Sequence, residues 1–292
     1  GLVGSEMCIR DRYKHKAERQ CGFLKLKFLK PWRIGMEKIT SKSNNLIKEV
    51  KKLFTSRKFR NENQKFVLEG VRLCFDVTES DCVPCILLLT EAAAEKYGDK
   101  CAALIDYFPN ACFITDEIAQ KISDTQSSQG VFAVCKMRST KGALEPGKKY
   151  IALDQIQDPA NLGAIVRTAE ALGISGALLH NCCDVYNPKA LRASMGGMLR
   201  LPFMQSENLA EDIKKYKSQG FSVYAAVPDA SAQDITKIEF HGSDICVIGN
   251  EGNGVSGEVL AECAPLTINM LGRAESLNAS VAGTIVMWEM LR

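Results

Sequence analysis

"YIALDQIQDPANLGAIVRTAEALG", residues 150–173, joins an apolar run of strand length, a polar loop and a segment of helical period. Leu162, Ile165, Val166, Ala169 and Leu172 recur at the spacing of one apolar helix face. The same alternation continues downstream. Strands are expected at 150–154, 175–180, 221–226, 244–248 and 266–269. Helices are expected at about 160–172, 188–195, 208–219, 255–262 and 276–291. Such alternation predicts an α/β fold, a mostly parallel sheet with helices on both faces. Ligands bind such sheets beyond the carboxyl ends of the strands. Three strands lead there into polar, glycine-containing loops: "DQIQDPANLG", "GNEGNGVS" and "NMLGRAES".

Upstream, "NNLIKEVKKLFTS" (44–56) sets Leu46, Ile47, Val50 and Leu53 on one helical stripe with lysines opposite. Short strands at "KFVLEG", "CVPCILLL" and "GVFAVCKM", with helical segments between them, indicate a smaller α/β domain over 36–137. The polar, Gly- and Pro-bearing stretch 138–149 reads as a linker, and 150–292 as a second domain. Residues 1–35 show no apolar period or cap signal, and "SEMCIRDR" resembles translated sequencing adapter. They are expected to be a non-native leader and are set aside.

That exclusion changes the charge argument. The chain carries a net +3, but residues 1–35 alone carry +6, so the remainder is about −3. Basic character is local: residues 36–72 hold ten Lys/Arg against four Asp/Glu. This patch suits nucleic acid, and equally a solvated helix face. With 46% hydrophobic and 24% charged residues the chain is an ordinary globular one. No apolar run approaches the ~20 residues of a membrane span. Twelve cysteines are scattered through apolar segments with no secretory signal ahead of them. They read as buried thiols in a reducing cytoplasm. Cys82 and Cys85 lack the second ligand pair or helix start that zinc or redox use requires, so no metal is expected.

Taken singly, the loop residues are ambiguous. Asn161 reads as a helix cap and Arg167 as a surface arginine. "GNEGNG" is Gly-x-x-Gly-x-Gly, not the dinucleotide pattern, and no phosphate-loop Lys-Ser/Thr follows. Glu251 stands out, since a carboxylate in a glycine-rich loop at a strand end seldom has a packing reason. In "ESLNASVAGTIVMWEML" (275–291), Glu275 or Ser276 is expected to start a helix, with Asn278 one turn in. The small Ala279, Ala282 and Gly283 read as packing residues.

In order and spacing, "NLGAIVRTAEALG", "GNEGNG" and "ESLNASVA" resemble the three motifs of the SpoU/TrmH class of RNA ribose 2′-O-methyltransferases, within the SPOUT superfamily. "NPKALRASMGGMLRLPF" (187–203) is similar to the family's segment after the second strand. The resemblance covers 150–292. "KFVLEGVRL" and "SSQGVFAV" resemble, less specifically, the ribosomal-protein-like substrate-binding domain that many members carry. The resemblance implies a trefoil-knotted α/β domain, S-adenosylmethionine as cofactor, a homodimer and an RNA substrate, large-subunit ribosomal RNA first and transfer RNA as the alternative. A non-catalytic RNA-binding protein keeping the fold is the other alternative, disfavoured because all five polar positions of the motifs are present. Backbone at Gly249, Ile268 and Leu277 would hold the cofactor. Asn161, Arg167, Glu251, Ser276 and Asn278 would form the polar catalytic site.

The family proposal of arginine as base conflicts with a guanidinium pKa above ~12. Arg167 is better suited to grip a phosphate and the developing alkoxide, which leaves the proton acceptor open. His180 and His241 lie outside the motifs and read as structural. Two departures stand out. Asn269 occupies the family's usual proline position, restoring an N–H, and the chain ends a few residues short of the family pattern.

Overall fold

A computed structural model of the protein describes residues 36–140 and 142–292. The proposed leader, 1–35, lies outside the described residues. Residues 37–292 form one compact unit built on two sheets.

The first sheet has five strands: β1 (Lys38–Ile39), β2 (Lys65–Glu69), β3 (Pro84–Leu89), β4 (Ala111–Ile114) and β5 (Val131–Lys136), in the order β1-β4-β3-β5-β2. β5 runs antiparallel to both β2 and β3, and the remaining pairs are parallel. Helix α1 (Asn45–Thr55) is capped by the Asn44 side chain and buries Ile47, Val50 and Leu53, three of the four residues of the expected stripe. Leu46 packs half-buried beside them. Two helices here lie outside the elements expected from the sequence. α2 (Arg57–Asn63) is polar in every residue but Phe59, so it carries no apolar stripe. α4 (Glu91–Tyr107) follows the short α3 (Val71–Phe75) and is interrupted at Gly98, where φ of 39° breaks the helical period. α5 (Asp116–Ile122) completes this part.

The second sheet has seven strands: β6 (Lys149–Asp154), β7 (Ala177–His180), β8 (Phe203–Ser206), β9 (Ser222–Ala226), β10 (Gln233–Asp234), β11 (Asp244–Ile248) and β12 (Ala264–Thr267). Their order is β10-β12-β9-β11-β6-β7-β8, and every pair is parallel. All carboxyl ends therefore share one edge. The helices are α6 (Pro159–Leu172), α7 (Pro188–Ser194), α8 (Gly197–Arg200), α9 (Leu209–Ser218), α10 (Gly257–Leu260) and α11 (Ala279–Leu291). The edge strands β8 and β10 were not expected: β10 is two polar residues, and β8 (FMQS) turns polar halfway, so neither presents an apolar run.

Strand alternation separates two cores. Tyr150, Ala152, Ile245 and Val247 face α9 and α10, with Ile213, Tyr216 and Val259 beneath them. On the other face α11 packs against α6 and β11. Gly163 explains how α6 and α7 come so close. A Cβ there would stand 2.5 Å from the Ala193 Cβ and 2.6 Å from the Ala190 carbonyl, so only glycine fits. The small residues of α11 serve the same layer: Ala279 and Gly283 are buried, and Gly283 lies over Ile165 and Ile248.

Candidate functional site

Two expected helix starts are corrected. Asn161 does not precede its helix but lies in the first turn of α6, 7% exposed. Asp158 caps that helix, accepting from the Ala160 N–H at 2.9 Å, with Pro159 next. Asp at the cap followed by Pro in the first turn is a stronger start than Asn before Leu. At the other end, neither Glu275 nor Ser276 begins α11. Asn278 is its cap, accepting from the Ser280 N–H at 2.9 Å and hydroxyl at 2.7 Å.

With Asp158 capping α6, the Asn161 side chain is left to join the Asn278 amide N–H in a chain of hydrogen bonds that ties the three loops together. Asn278 Nδ2 donates to Asn161 Oδ1 at 3.0 Å, and Asn161 Nδ2 donates to Glu251 Oε1 at 3.0 Å. Glu251 also accepts from the backbone N–H groups of Gln157 at 3.2 Å and Asp158 at 3.1 Å. Partial burial pushes the Glu251 carboxyl up, but donation from Asn161 and those N–H groups outweighs it and holds the group below the usual carboxylate range. The site thus contains a fixed anion at neutral pH whose lone pairs are largely occupied. Its role is to hold the 155–158 loop to the 249–254 loop.

Gly249, Ile268 and Leu277 line one cavity of about 370 Å³ at the carboxyl edge of the sheet, and Glu251 and Ser276 stand in its wall. Apolar side chains such as Ile248, Leu260 and Ala282 alternate in the wall with glycine backbone. The volume and lining fit a small-molecule site. Ala226, Val227 and Pro228, following β9, complete the cavity. This loop holds no glycine and was not among those expected at the working edge, whereas the expected 155–161 loop supports the wall from behind and does not line the cavity. Asn269 donates to Asp234, giving the residue at the family's proline position an anchoring role, while Ile268 keeps its place in the wall.

Arg167 stands apart. It is exposed on α6 and makes no hydrogen bond or ion pair among the described residues. Six positions separate it from Asn161, about 9 Å along the helix. Its guanidinium is free to meet a ligand approaching from outside.

Two positioning residues escaped the sequence reading. Asn250 folds its own loop, accepting from the Gly252 and Asn253 N–H groups and donating to the Gln155 carbonyl at 2.8 Å. An asparagine between glycines is a turn signal and could have been found. Asp154, fully buried at the end of β6, accepts from the Ser256 N–H and pairs with His180 Nδ1, both at 2.8 Å. His180 thereby holds a structural place. Among the described residues no cluster of His, Cys, Asp and Glu suits a metal ion, and no helix is long and apolar enough to cross a membrane.

Comparison with known proteins agrees with this geometry. The family model of the SpoU rRNA methylase family matches residues 148–288, and that of the MRM3-like substrate binding domain matches 44–133. The 23S rRNA (guanosine(2553)-2′-O)-methyltransferase RlmP of Bacillus subtilis is 29% identical over 87% of this chain and 99% of its own. An uncharacterized tRNA/rRNA methyltransferase of Synechocystis is 30% identical over 87% of this chain and 93% of its own. The crystal structure of an AdoMet-bound rRNA methyltransferase from Sinorhizobium meliloti superposes with a TM-score of 0.76 at 27% identity, covering 87% of this chain and 97% of that one. The family model spans every segment that lines the cavity, and the relatives match nearly end to end: the chain belongs to the SpoU rRNA methylase family.

Proposed function

We propose that this protein is an S-adenosylmethionine-dependent methyltransferase acting on the ribose 2′-hydroxyl of structured RNA, with 23S ribosomal RNA as its substrate and transfer RNA as the alternative. The observation that carries this is the meeting of Gly249, Ile268 and Leu277 in one cavity with Glu251 in its wall, tied from behind by Asn161 and, through Asn161, by Asn278, neither of which lines the cavity. When bound, the cofactor supplies an electrophilic methyl group on sulfonium. Backbone of the 249–254 and 268–277 loops would hold its adenosyl part. The Asn278–Asn161–Glu251 chain would keep the loops fixed, so that ordering them costs little at the moment of transfer. Ser276, exposed in the cavity wall, and Arg167 would meet the RNA.

Residues 36–137 would serve as the RNA-binding domain, joined through the 138–149 linker to the catalytic domain of 150–292. The final segment, which leaves β12 and returns to pack α11 on α6 and β11, would form the family's trefoil knot. The ten cysteines among the described residues are all free, in keeping with work in the cytoplasm.

Titration calorimetry should show S-adenosylmethionine binding, with no signal from NAD or ATP. Mapping ribose methylation across total RNA with and without the gene should reveal one lost position. NAD binding without an S-adenosylmethionine signal would overturn the reading. Gly249→Ala should abolish cofactor binding as fully as Gly249→Val. A Cβ at this position would lie 2.2 Å from the Gly254 carbonyl carbon and the Val255 nitrogen, so the first added carbon already deforms the loop. Near-normal affinity in the alanine variant would refute that account.

A homodimer is also proposed. On α11, Val281, Trp288 and Leu291 are 46%, 59% and 38% exposed and fall on one stripe at helical spacing. A second copy presenting the same stripe would cover both by two-fold symmetry. Trp288→Arg should convert the dimer to monomer in light scattering, since a central tryptophan commonly contributes ~2 kcal/mol or more. An unchanged dimer mass would place the interface elsewhere.

A further inference from the structure

A second, more polar cavity of about 460 Å³ lies where α2 faces the 181–186 loop and the 137–140 segment. Arg57, Asn61, Thr140 and Gln205 line it, and their side chains make no hydrogen bond or ion pair among the described residues. Such a concentration of unused donors is unusual in a chain whose basic patch is otherwise half spent. Lys38, Lys42, Lys58, Arg60 and Lys65 are all in ion pairs, whereas Arg57 is not. The one carboxylate in the wall, Asp184, is already compensated by the buried Arg60. Arg138, also in the wall, donates to the Leu201 carbonyl at 3.0 Å and reaches only the exposed Asp81 at 4.0 Å. The crevice therefore carries surplus positive charge and suits an anion.

Its position relates it to the first cavity. Gln157, whose N–H donates to Glu251, also donates its side-chain amide to the Asn181 carbonyl at 2.7 Å. Asp184 and Tyr186, at the far end of that loop, line the crevice. Three residues from Asn181 to Asp184 span at most ~11 Å. Cys183 between them registers both sides: burial is the main cause pushing its thiol up to about 11, with Asp184, Glu251 and Asp158 adding to the rise and Arg57 opposing it.

We propose that this crevice is a subsite for the nucleotide flanking the one methylated, with Arg57 on its phosphate and Asn61, Thr140 and Gln205 presented to its base edge. Single-stranded RNA with splayed bases is recognised by such polar edges. The proposal rests on the reading of the protein as an RNA methyltransferase.

The test uses the full chain with unmodified 23S rRNA and tRNA transcripts. Arg57→Ala should raise KM for the accepting transcript about tenfold and lower the slope of log affinity against log salt by about one, as loss of one phosphate contact does. kcat and S-adenosylmethionine affinity should hold. Gln205→Ala should raise KM without changing the salt slope. Lys58→Ala, on the same helix but outside the crevice, is the control and should change neither. Equal effects of Arg57→Ala and Lys58→Ala, or an unchanged KM and slope for Arg57→Ala, would overturn the subsite while leaving the enzyme reading intact. If the unaltered protein methylates neither transcript and binds no S-adenosylmethionine, the reading itself fails and the subsite falls with it.

Discussion

Arg167→Ala is expected to lower methyl transfer by a factor of about 10² to 10³ with little change in thermal stability. Removing one donor to charge that develops in a transition state costs roughly 3–4 kcal/mol. The side chain is exposed and holds no other described group in place, so its truncation should leave the fold undisturbed. Arg167→Lys should recover little, because a point charge does not reproduce the planar fork that meets a phosphate or alkoxide. Cofactor affinity should stay near that of the unaltered protein, because other loops build the cavity. Single-turnover rates and calorimetry on the same variants separate these terms. Near-normal turnover in both variants would reduce Arg167 to a surface arginine.

The second large effect is expected in stability. Arg60 is 3% exposed; its Nε donates to Asp184 at 3.0 Å, its Nη2 pairs with the same carboxylate, and its Nη1 donates to the Phe54 carbonyl at 3.1 Å. Phe66 packs on Tyr186 in the same joint, with ring centroids 4.5 Å apart. Arg60→Ala would leave Asp184 buried and uncompensated and would strand carbonyl groups of α1. Breaking a buried pair from one side typically costs ~3–5 kcal/mol, a large share of the 5–15 kcal/mol that keeps a domain folded. Denaturant midpoints should show it, and Arg60→Met should be milder, because it fills the space but still leaves the carboxylate. A loss below about 1 kcal/mol would show that the joint is solvated and the pair dispensable.

This joint gives the segment 187–203 a role that its sequence did not disclose. Arg192 of α7 reaches Asp124 at 2.9 Å, and Arg200 of α8 reaches Asp76 at 3.6 Å. Read along the chain, these are unremarkable surface arginines. They act as ties between the two sheet regions only because the loop at 124 and the 3-10 helix Asp76–Glu79 lie against α7 and α8, a neighbourhood set by chain segments more than 60 residues away.

What the sequence determined by itself is whatever depends on neighbours a few positions apart. Apolar runs and helical periods placed five of the seven strands of the second sheet and the longer helices beside them, glycine-bearing loops marked its working edge, and motif order indicated the family. Gly249, Ile268 and Leu277, which the resemblance pointed to, line one cavity. Only the tertiary structure decided that Asn161 meets Glu251 across 90 positions and Asn278 across 117. It alone set the strand order β10-β12-β9-β11-β6-β7-β8 and brought Ala226–Pro228 into the cavity wall. Hydrophobic periodicity reports which face of an element is buried. It carries no information about which buried faces meet, since burial is non-directional and the same apolar stripe satisfies many partners. The pairing is chosen by whole-chain packing, where the missing Cβ of Gly163 lets α6 approach α7 and the small face of α11 lets it settle on Ile165 and Ile248.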